Sequence, residues 1–83
     1  MNYYLYILQS SKDNNYYIGI TENVEKRLSQ HNSGKTKSTK SRTPFKLIYK
    51  ERYDSRAEAR EREKYLKSYN GVNEKREIVD NHN

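Results

Sequence analysis

The chain is short of most of the residues that stabilise or equip a small protein by special chemistry. It has no cysteine and no tryptophan, one proline and three glycines in 83 residues. Without cysteine, neither a disulfide framework nor a thiolate metal site is available. No glycine-rich phosphate loop and no run of about eighteen apolar residues occur. We therefore expect a soluble cytoplasmic protein with a single domain, residues 1–83.

The balance of charge and aromatic residues points to a nucleic-acid partner. Seventeen Lys and Arg against eleven Asp and Glu give a net charge of +6, which on so small a body favours a polyanion. Hydrophobic residues are only 31%, and nine tyrosines supply most of the aromatic area. Tyrosine combines apolar area with a polar tip, so some of these rings are expected to line a wet cleft.

Three apolar segments predict β-strands. Residues Tyr3 to Leu8 and Tyr16 to Ile20 are rich in β-formers, and the polar residues 10–15 between them are typical of a turn. The two segments predict an antiparallel hairpin. The segment Phe45 to Tyr53 predicts a third strand, with Phe45, Leu47 and Tyr49 expected on one face.

Capping residues predict where the helices begin. Thr21 or Asn23 can cap a first helix that runs to about Asn32. The series Ser55-Arg56-Ala57-Glu58 is a capping box that opens a second helix, which Gly71 is expected to end. A short last helix is expected over Asn73 to Asp80. The fold class is therefore α+β, a small three-stranded antiparallel sheet flanked by helices in the order β-β-α-β-α-α.

Polar side chains interrupt the apolar stripe of each of the first two helices. Arg27 and His31 share a face with Val24 and Leu28 on the first helix. They could be ordinary half-buried side chains whose polar ends are solvated, but their spacing of one turn directs both into one cleft. On the second helix Glu63 shares a face with Ala59 and Leu66, where it could pair with Arg27 or Lys67 or take part in chemistry.

Two further groups of residues have both a structural and a functional interpretation. Tyr6 and Tyr17 are explained most simply as cross-strand aromatic residues of the core. The loop from Ser33 to Pro44 contains no acidic residue and is either a solvated linker or a phosphate contact. Its cationic residues, which we predict to bind nucleic acid, are Lys35, Lys37, Lys40 and Arg42.

Taken together, the polar residues suit the hydrolysis of a phosphodiester. That reaction needs a base to activate water, positive charge for the developing negative charge, and commonly a metal ion. Tyr6, Tyr17 or His31 could take the proton, and Arg27 could supply the charge. Glu63 could hold one hard cation such as Mg²⁺ or Mn²⁺, with waters completing the coordination. The sequence contains no paired carboxylates for a two-metal site.

The same residues resemble the signature of the GIY-YIG nuclease superfamily. Tyr4-Leu5-Tyr6 is followed after ten residues by Tyr17-Ile18-Gly19, and Arg27 stands eight residues after Gly19. His31 and Glu63 match further positions of that signature. The runs Tyr17 to Thr21 and His31 to Gly34 are similar to the small single-domain bacterial members, which are UPF0213-like.

The resemblance implies a metal-dependent endonuclease acting on DNA. On that analogy one of the two sheet tyrosines and His31 handle the attacking water, Arg27 stabilises the phosphate, and Glu63 binds the cation. We expect preference for branched, flapped or single-stranded DNA or weak sequence specificity, and a role in DNA repair or recombination. The protein would act as a monomer or a weak homodimer.

Two other functions stay open from the sequence. A nucleic-acid-binding module that keeps the fold without turnover would have the same charge and the same basic loop. An adaptor for an acidic protein is supported by the net charge alone.

Overall fold

The computed structural model describes residues 2–37 and 39–81 of the chain. The chain forms one three-stranded sheet and three α-helices, with one short 3₁₀ turn at Lys40–Arg42. Their bounds are β1 Tyr3–Ser10, β2 Tyr16–Thr21, α1 Val24–Asn32, β3 Phe45–Tyr53, α2 Arg56–Lys67 and α3 Val72–Asn81. This is the predicted α+β order. Within the described ranges, no helix has the length and apolar character needed to cross a membrane.

The sheet is antiparallel with the strand order β2-β1-β3. Strand β1 is therefore central, and its residues from Leu5 to Ser10 are all buried. Both faces of this central strand are covered, so neither is exposed to solvent. The sequence of β1 is therefore a largely continuous apolar run and does not alternate between apolar and polar residues. In the hairpin, Tyr6 lies directly opposite Gly19.

An irregularity in the pairing of β1 with β3 corrects one prediction from the sequence. Ile7 pairs with Tyr49 but the next residue, Leu8, pairs with Leu47, so Ile48 is an extra residue in β3. A bulge of this kind exchanges the faces of the residues that follow it. Leu47 consequently packs on one face of the sheet and Tyr49 on the other, and the expectation that Phe45, Leu47 and Tyr49 share a face was wrong for Tyr49.

Side-chain caps begin the first two helices at the predicted places. Asn23 caps α1, with its side chain accepting a hydrogen bond from the Lys26 amide. Ser55 caps α2 by accepting from the Glu58 amide, which is one half of the predicted capping box, and its hydroxyl donates to the Glu58 carboxylate. Helix α2 ends at Lys67, earlier than the end expected at Gly71.

The sheet separates two apolar clusters. On one face Leu5, Ile7 and Ile18 pack against Leu66 of α2 and Val79 of α3. The other face carries Tyr6, Leu8, Tyr17, Phe45 and Leu47, with Val24 and Leu28 of α1 packed against them. The polar residues predicted on β1, β2 and α1 lie in this second cluster, which places the candidate site between the hairpin and α1.

Two side chains, one of them buried, attach the basic loop to the sheet. Ser10 is fully buried and donates from Oγ to the carbonyl oxygen of Arg42 at 2.5 Å. The Asn32 side chain accepts from the Phe45 amide at 2.6 Å and donates to the Phe45 carbonyl at 3.0 Å. Asn32 thus pairs with the first residue of β3 as a neighbouring strand would, and the loop between α1 and β3 is closed at both ends.

Candidate functional site

Tyr6 and Gly19 form the floor of the site. An added Cβ at Gly19 would lie 2.5 Å from the Tyr6 hydroxyl and 2.7 Å from Cζ of the ring. The Tyr6 ring therefore passes directly over Gly19, and only a residue without a side chain leaves room for it. The sequence indicated a close approach at Gly19, and the structure identifies the approaching group.

His31 lies fully buried at the centre of the second cluster. Its ring centroid is 4.9 Å from that of Tyr17, in an edge contact, and 5.9 Å from that of Phe45. Nε2 is 3.3 Å from the Tyr6 hydroxyl, and Nδ1 is 2.7 Å from Oγ1 of Thr39. Burial lowers the pKa of His31, and the positive charge of Arg27 lowers it further, so the imidazole is neutral at pH 7.

Arg27 is the half-buried cation of the site. Its Nη1 donates to Oε1 of Gln30 at 3.1 Å. Its pKa is raised, chiefly because it hydrogen bonds to the Tyr6 hydroxyl. Burial raises the pKa of Tyr6, and the hydrogen bond from Arg27 opposes that increase only in part, which leaves Tyr6 a neutral phenol.

Glu63 reaches the site from α2. It shares the helix face of Ala59 and Leu66, as predicted, and its side chain is only 16% exposed. Its negative charge adds to the raised pKa of Tyr6, which indicates that the carboxylate is near the phenol. Of the two pairings considered from the sequence, the structure contains the one with Lys67, whose Nζ is 3.1 Å from Oε2 of Glu63.

The five predicted catalytic residues are thus brought together, although they come from four elements. Tyr6 is in contact with the rings of Tyr17 and His31. Arg27 and Glu63 lie near enough to change its pKa, Arg27 lowering it and Glu63 raising it. A cavity of about 590 Å³ opens beside Arg27. It runs along α1, where Lys26 and Gln30 line it, and along the connection of residues 20–23. Substrate would have access to Arg27 from this side.

The four cationic residues predicted on the loop fall into two groups. Lys35, Lys37 and Lys40 are exposed. Arg42 is half-buried instead, with Nε 3.2 Å from the carboxylate of Asp13 and its guanidinium 5.6 Å from the Phe45 ring centroid. Arg42 is therefore partly engaged in attaching the loop to the β1–β2 turn, and the three lysines present free positive charge to solvent.

Sequence reasoning missed Thr39, the residue that contacts the second nitrogen of His31. Thr39 is fully buried, although it lies in a loop rich in serine, threonine and lysine. The sequence around Thr39 has no apolar periodicity, so nothing in it distinguishes Thr39 from the other serine and threonine residues of the loop. The only available signal was the presence of a buried histidine, which needs partners for both ring nitrogens.

Comparison with known proteins identifies the family of the chain. The family model described as the GIY-YIG catalytic domain matches residues 2–76. A UPF0213 protein of Natronomonas pharaonis is 39% identical over 80 residues, covering 95% of this chain and 93% of the relative. A UPF0213 protein of Syntrophus aciditrophicus is 50% identical over 66 residues, covering 77% of this chain and 75% of the relative.

A solved structure is similar over almost the whole chain. It is the solution NMR structure of a UPF0213 protein from Bacillus halodurans, with a TM-score of 0.57 and 36% identity. The match covers 96% of this chain and 84% of that one. The chain therefore belongs to the GIY-YIG family, a family of nuclease-type domains, and its relatives include the UPF0213 proteins.

Proposed function

We propose that the protein is a metal-dependent endonuclease that hydrolyses DNA phosphodiester bonds. The observation that carries the proposal is the Tyr6–His31 pair, a neutral phenol and a neutral imidazole 3.3 Å apart beside the Arg27 guanidinium. A proton acceptor and a fixed positive charge are the two protein groups that hydrolysis of a phosphodiester needs. Membership of the GIY-YIG family supports the same reaction class.

The Tyr6–His31 pair acts as the proton acceptor. Tyr6 alone is a poor base because burial raises its pKa and keeps it protonated. The attacking water gives its proton to the Tyr6 oxygen while the Tyr6 proton passes to Nε2 of His31, which becomes an imidazolium. The lowered pKa of His31 keeps it ready to accept at neutral pH. Cleavage is then lost as the pH falls through that lowered pKa.

Arg27 stabilises the charge that the reaction develops. The hydroxide attacks phosphorus, the bond from phosphorus to the leaving oxygen breaks, and the products are a phosphate monoester and a hydroxyl that takes a proton from solvent. Negative charge accumulates on the phosphate oxygens in between. Arg27 is held beside Tyr6 and Gln30 before substrate arrives, and charge that is fixed in advance is the most effective kind.

Glu63 is the residue that would hold the metal ion. Among residues 2–37 and 39–81 no group of three or more His, Asp or Glu is arranged to bind a metal. One carboxylate fits Mg²⁺ or Mn²⁺, because Mg²⁺ usually keeps several waters and binds one or two carboxylates together with substrate phosphates. Bound there, the ion would supply positive charge to stabilise the negative charge that develops during hydrolysis. Glu63 would exchange its contact with Lys67 for the ion.

The exposed loop lysines are proposed to bind the DNA backbone. Lys35, Lys37 and Lys40 project from a loop whose two ends are attached to the sheet. Contacts with phosphate position a protein on DNA but carry no sequence information. We therefore propose weak sequence specificity, preference for branched, flapped or single-stranded DNA, and a role in repair or recombination.

A binding module without turnover is the second candidate. The observation in its favour is the Glu63–Lys67 ion pair, which engages the carboxylate proposed to hold the metal. Such a protein would bind DNA with strong dependence on salt and leave it intact.

The test is cleavage of labelled flap, branched, single-stranded and duplex DNA with Mg²⁺ or Mn²⁺ and with chelator. Arg27→Gln is compared with Arg60→Gln, which removes the same charge from an exposed position of α2 outside the site. Loss of a preorganised charge in such a site lowers kcat by about 100-fold or more, so Arg27→Gln should cut far more slowly and Arg60→Gln nearly as fast as wild type. Equal loss in both variants would contradict the role of Arg27. Salt-sensitive binding without cleavage by the wild type would favour the binding module.

A further inference from the structure

The buried imidazole of His31 has a hydrogen-bond partner at each nitrogen. Nε2 faces the Tyr6 hydroxyl at 3.3 Å and Nδ1 faces Oγ1 of Thr39 at 2.7 Å. A neutral imidazole donates from one nitrogen and accepts at the other. Because both partners are hydroxyls, each can donate or accept, and the direction of the whole chain of hydrogen bonds has to be set by groups beyond them.

Arg27 sets the direction at one end of the chain. The guanidinium is a donor only, and it lies near enough to the Tyr6 hydroxyl to affect its pKa, so the phenol oxygen faces the cation and the phenol proton points away from it. That proton needs an acceptor. Nε2 of His31 is the acceptor within reach, and it can serve only if the ring proton is on Nδ1.

The other end of the chain agrees with this direction. The Thr39 hydroxyl lies 3.4 Å from the carbonyl oxygen of Thr36, which can only accept. With the ring proton on Nδ1, Thr39 accepts from His31 and donates to Thr36. The opposite tautomer would take the Thr39 proton away from the Thr36 carbonyl and direct Nε2–H at the Tyr6 oxygen, so that the phenol proton would lose its acceptor and be turned toward the Arg27 cation. No buried side-chain nitrogen or oxygen in the described ranges lacks a partner.

We propose that Thr39 is a positioning residue for His31, one that accepts the Nδ1 proton and thereby holds Nε2 as the acceptor for the Tyr6 proton. The role rests on the proposed function, in which that proton is transferred during hydrolysis. It also gives the basic loop two tasks. Its exposed lysines at 37 and 40 face solvent, while its buried Thr39 fixes the protonation pattern of the site.

The proposal is tested first by the ring tautomer of His31 in the free protein. Nitrogen-15 NMR of the imidazole distinguishes the two tautomers, and a spectrum of His82→Gln assigns the resonances, since the chain has two histidines. The expected result is a protonated Nδ1 and a bare Nε2 in the wild type and in Thr39→Ser. Thr39→Val keeps nearly the same shape without the hydroxyl and should shift the ring toward the opposite tautomer. A protonated Nε2 in the wild type would overturn the proposal.

The second measurement is the rate of DNA cleavage by the same variants. Thr39→Val should lower kcat about ten-fold with little change in KM, which is the low end of what positioned proton transfer contributes. Thr39→Ser should restore most of that loss. Thr43→Val is the matched control, because Thr43 lies in the same loop and its hydroxyl donates to the Lys40 carbonyl rather than to His31. Equal losses in the two valine variants would overturn the positioning role.

The two measurements separate this proposal from the proposed function. If the wild type cuts no DNA, the nuclease assignment fails, and the NMR result still decides whether Thr39 sets the tautomer. If the wild type cuts DNA and Thr39→Val changes neither tautomer nor kcat, the Thr39 role fails alone.

Discussion

Replacing Gly19 by alanine tests the packing on which the whole site depends. The new Cβ would lie 2.5 Å from the Tyr6 hydroxyl oxygen, 2.7 Å from Cζ and 3.1 Å from Cε1. Non-bonded carbon atoms are at optimal separation near 3.5–4.0 Å, so either the ring or the backbone of β2 has to move by roughly 1 Å. The Tyr6 side chain is 2% exposed and has no space into which to move freely.

The expected cost follows from that displacement. Overpacking in a close-packed core typically costs about 1–3 kcal/mol of unfolding free energy. With a urea m-value near 1 kcal/mol/M for a chain of this size, the midpoint of urea unfolding should fall by roughly 1–3 M. Moving the Tyr6 hydroxyl by roughly 1 Å from its place beside His31 should slow cleavage by about 100-fold.

The assay is urea unfolding followed by circular dichroism, with cleavage measured on the same preparations. The control is Gly19→Ala in a Tyr6→Leu background, because leucine lacks the ring atoms that the new methyl group would meet. The cost of the alanine should largely disappear there. An alanine variant within about 0.5 kcal/mol of the wild type, the range of neutral surface changes, would show that the Tyr6 ring does not need the space above Gly19. So would an equal cost in both backgrounds.

Two further predictions concern residues outside the reaction itself. Asn32→Ala removes both hydrogen bonds to the Phe45 backbone. Because two backbone groups lose their partners, the free energy of unfolding in urea should fall by about 2 kcal/mol, and a fall below about 0.5 kcal/mol would contradict this. Burial and the nearby Glu51 carboxylate raise the pKa of Tyr49 and of Tyr53 to about 12. Their contribution to stability is therefore complete below about pH 10 and is lost as the pH rises through about 12. In an absorbance titration of phenolate, Glu51→Gln should make both ionise earlier, and an unchanged titration curve would show that Glu51 is not their partner.

The local elements could be predicted from the sequence because their signals are local. Strand β3 has the predicted bounds, and α1 begins after the predicted cap Asn23. The sharing of one helix face by Arg27 and His31 also followed from spacing alone. These features depend on residues within one or two turns of each other.

The features that could not be predicted depend on pairing between distant segments. The bulge at Ile48 arises from how β3 aligns with β1, and no pattern within Phe45–Tyr53 reveals it. Thr39 is eight positions after His31 in the sequence, beyond the end of α1, where no helical periodicity applies. The sequence predicts Arg42 as one more exposed cation, because its partner Asp13 is 29 residues away in the chain.

In the proposed function Glu63 holds the metal ion for DNA hydrolysis at the Tyr6–His31 pair. We would measure cleavage of a labelled flap substrate by Glu63→Gln and by Glu61→Gln, with Mg²⁺ titrated from zero. Glu61 lies on the same helix but is exposed, so it controls for the loss of one negative charge on α2. We expect Glu61→Gln to cut like the wild type, with no cutting in chelator, and Glu63→Gln to bind the flap without cutting it at any Mg²⁺ concentration. Cleavage by Glu63→Gln at the wild-type rate and with the same Mg²⁺ dependence would show that Glu63 does not hold the ion.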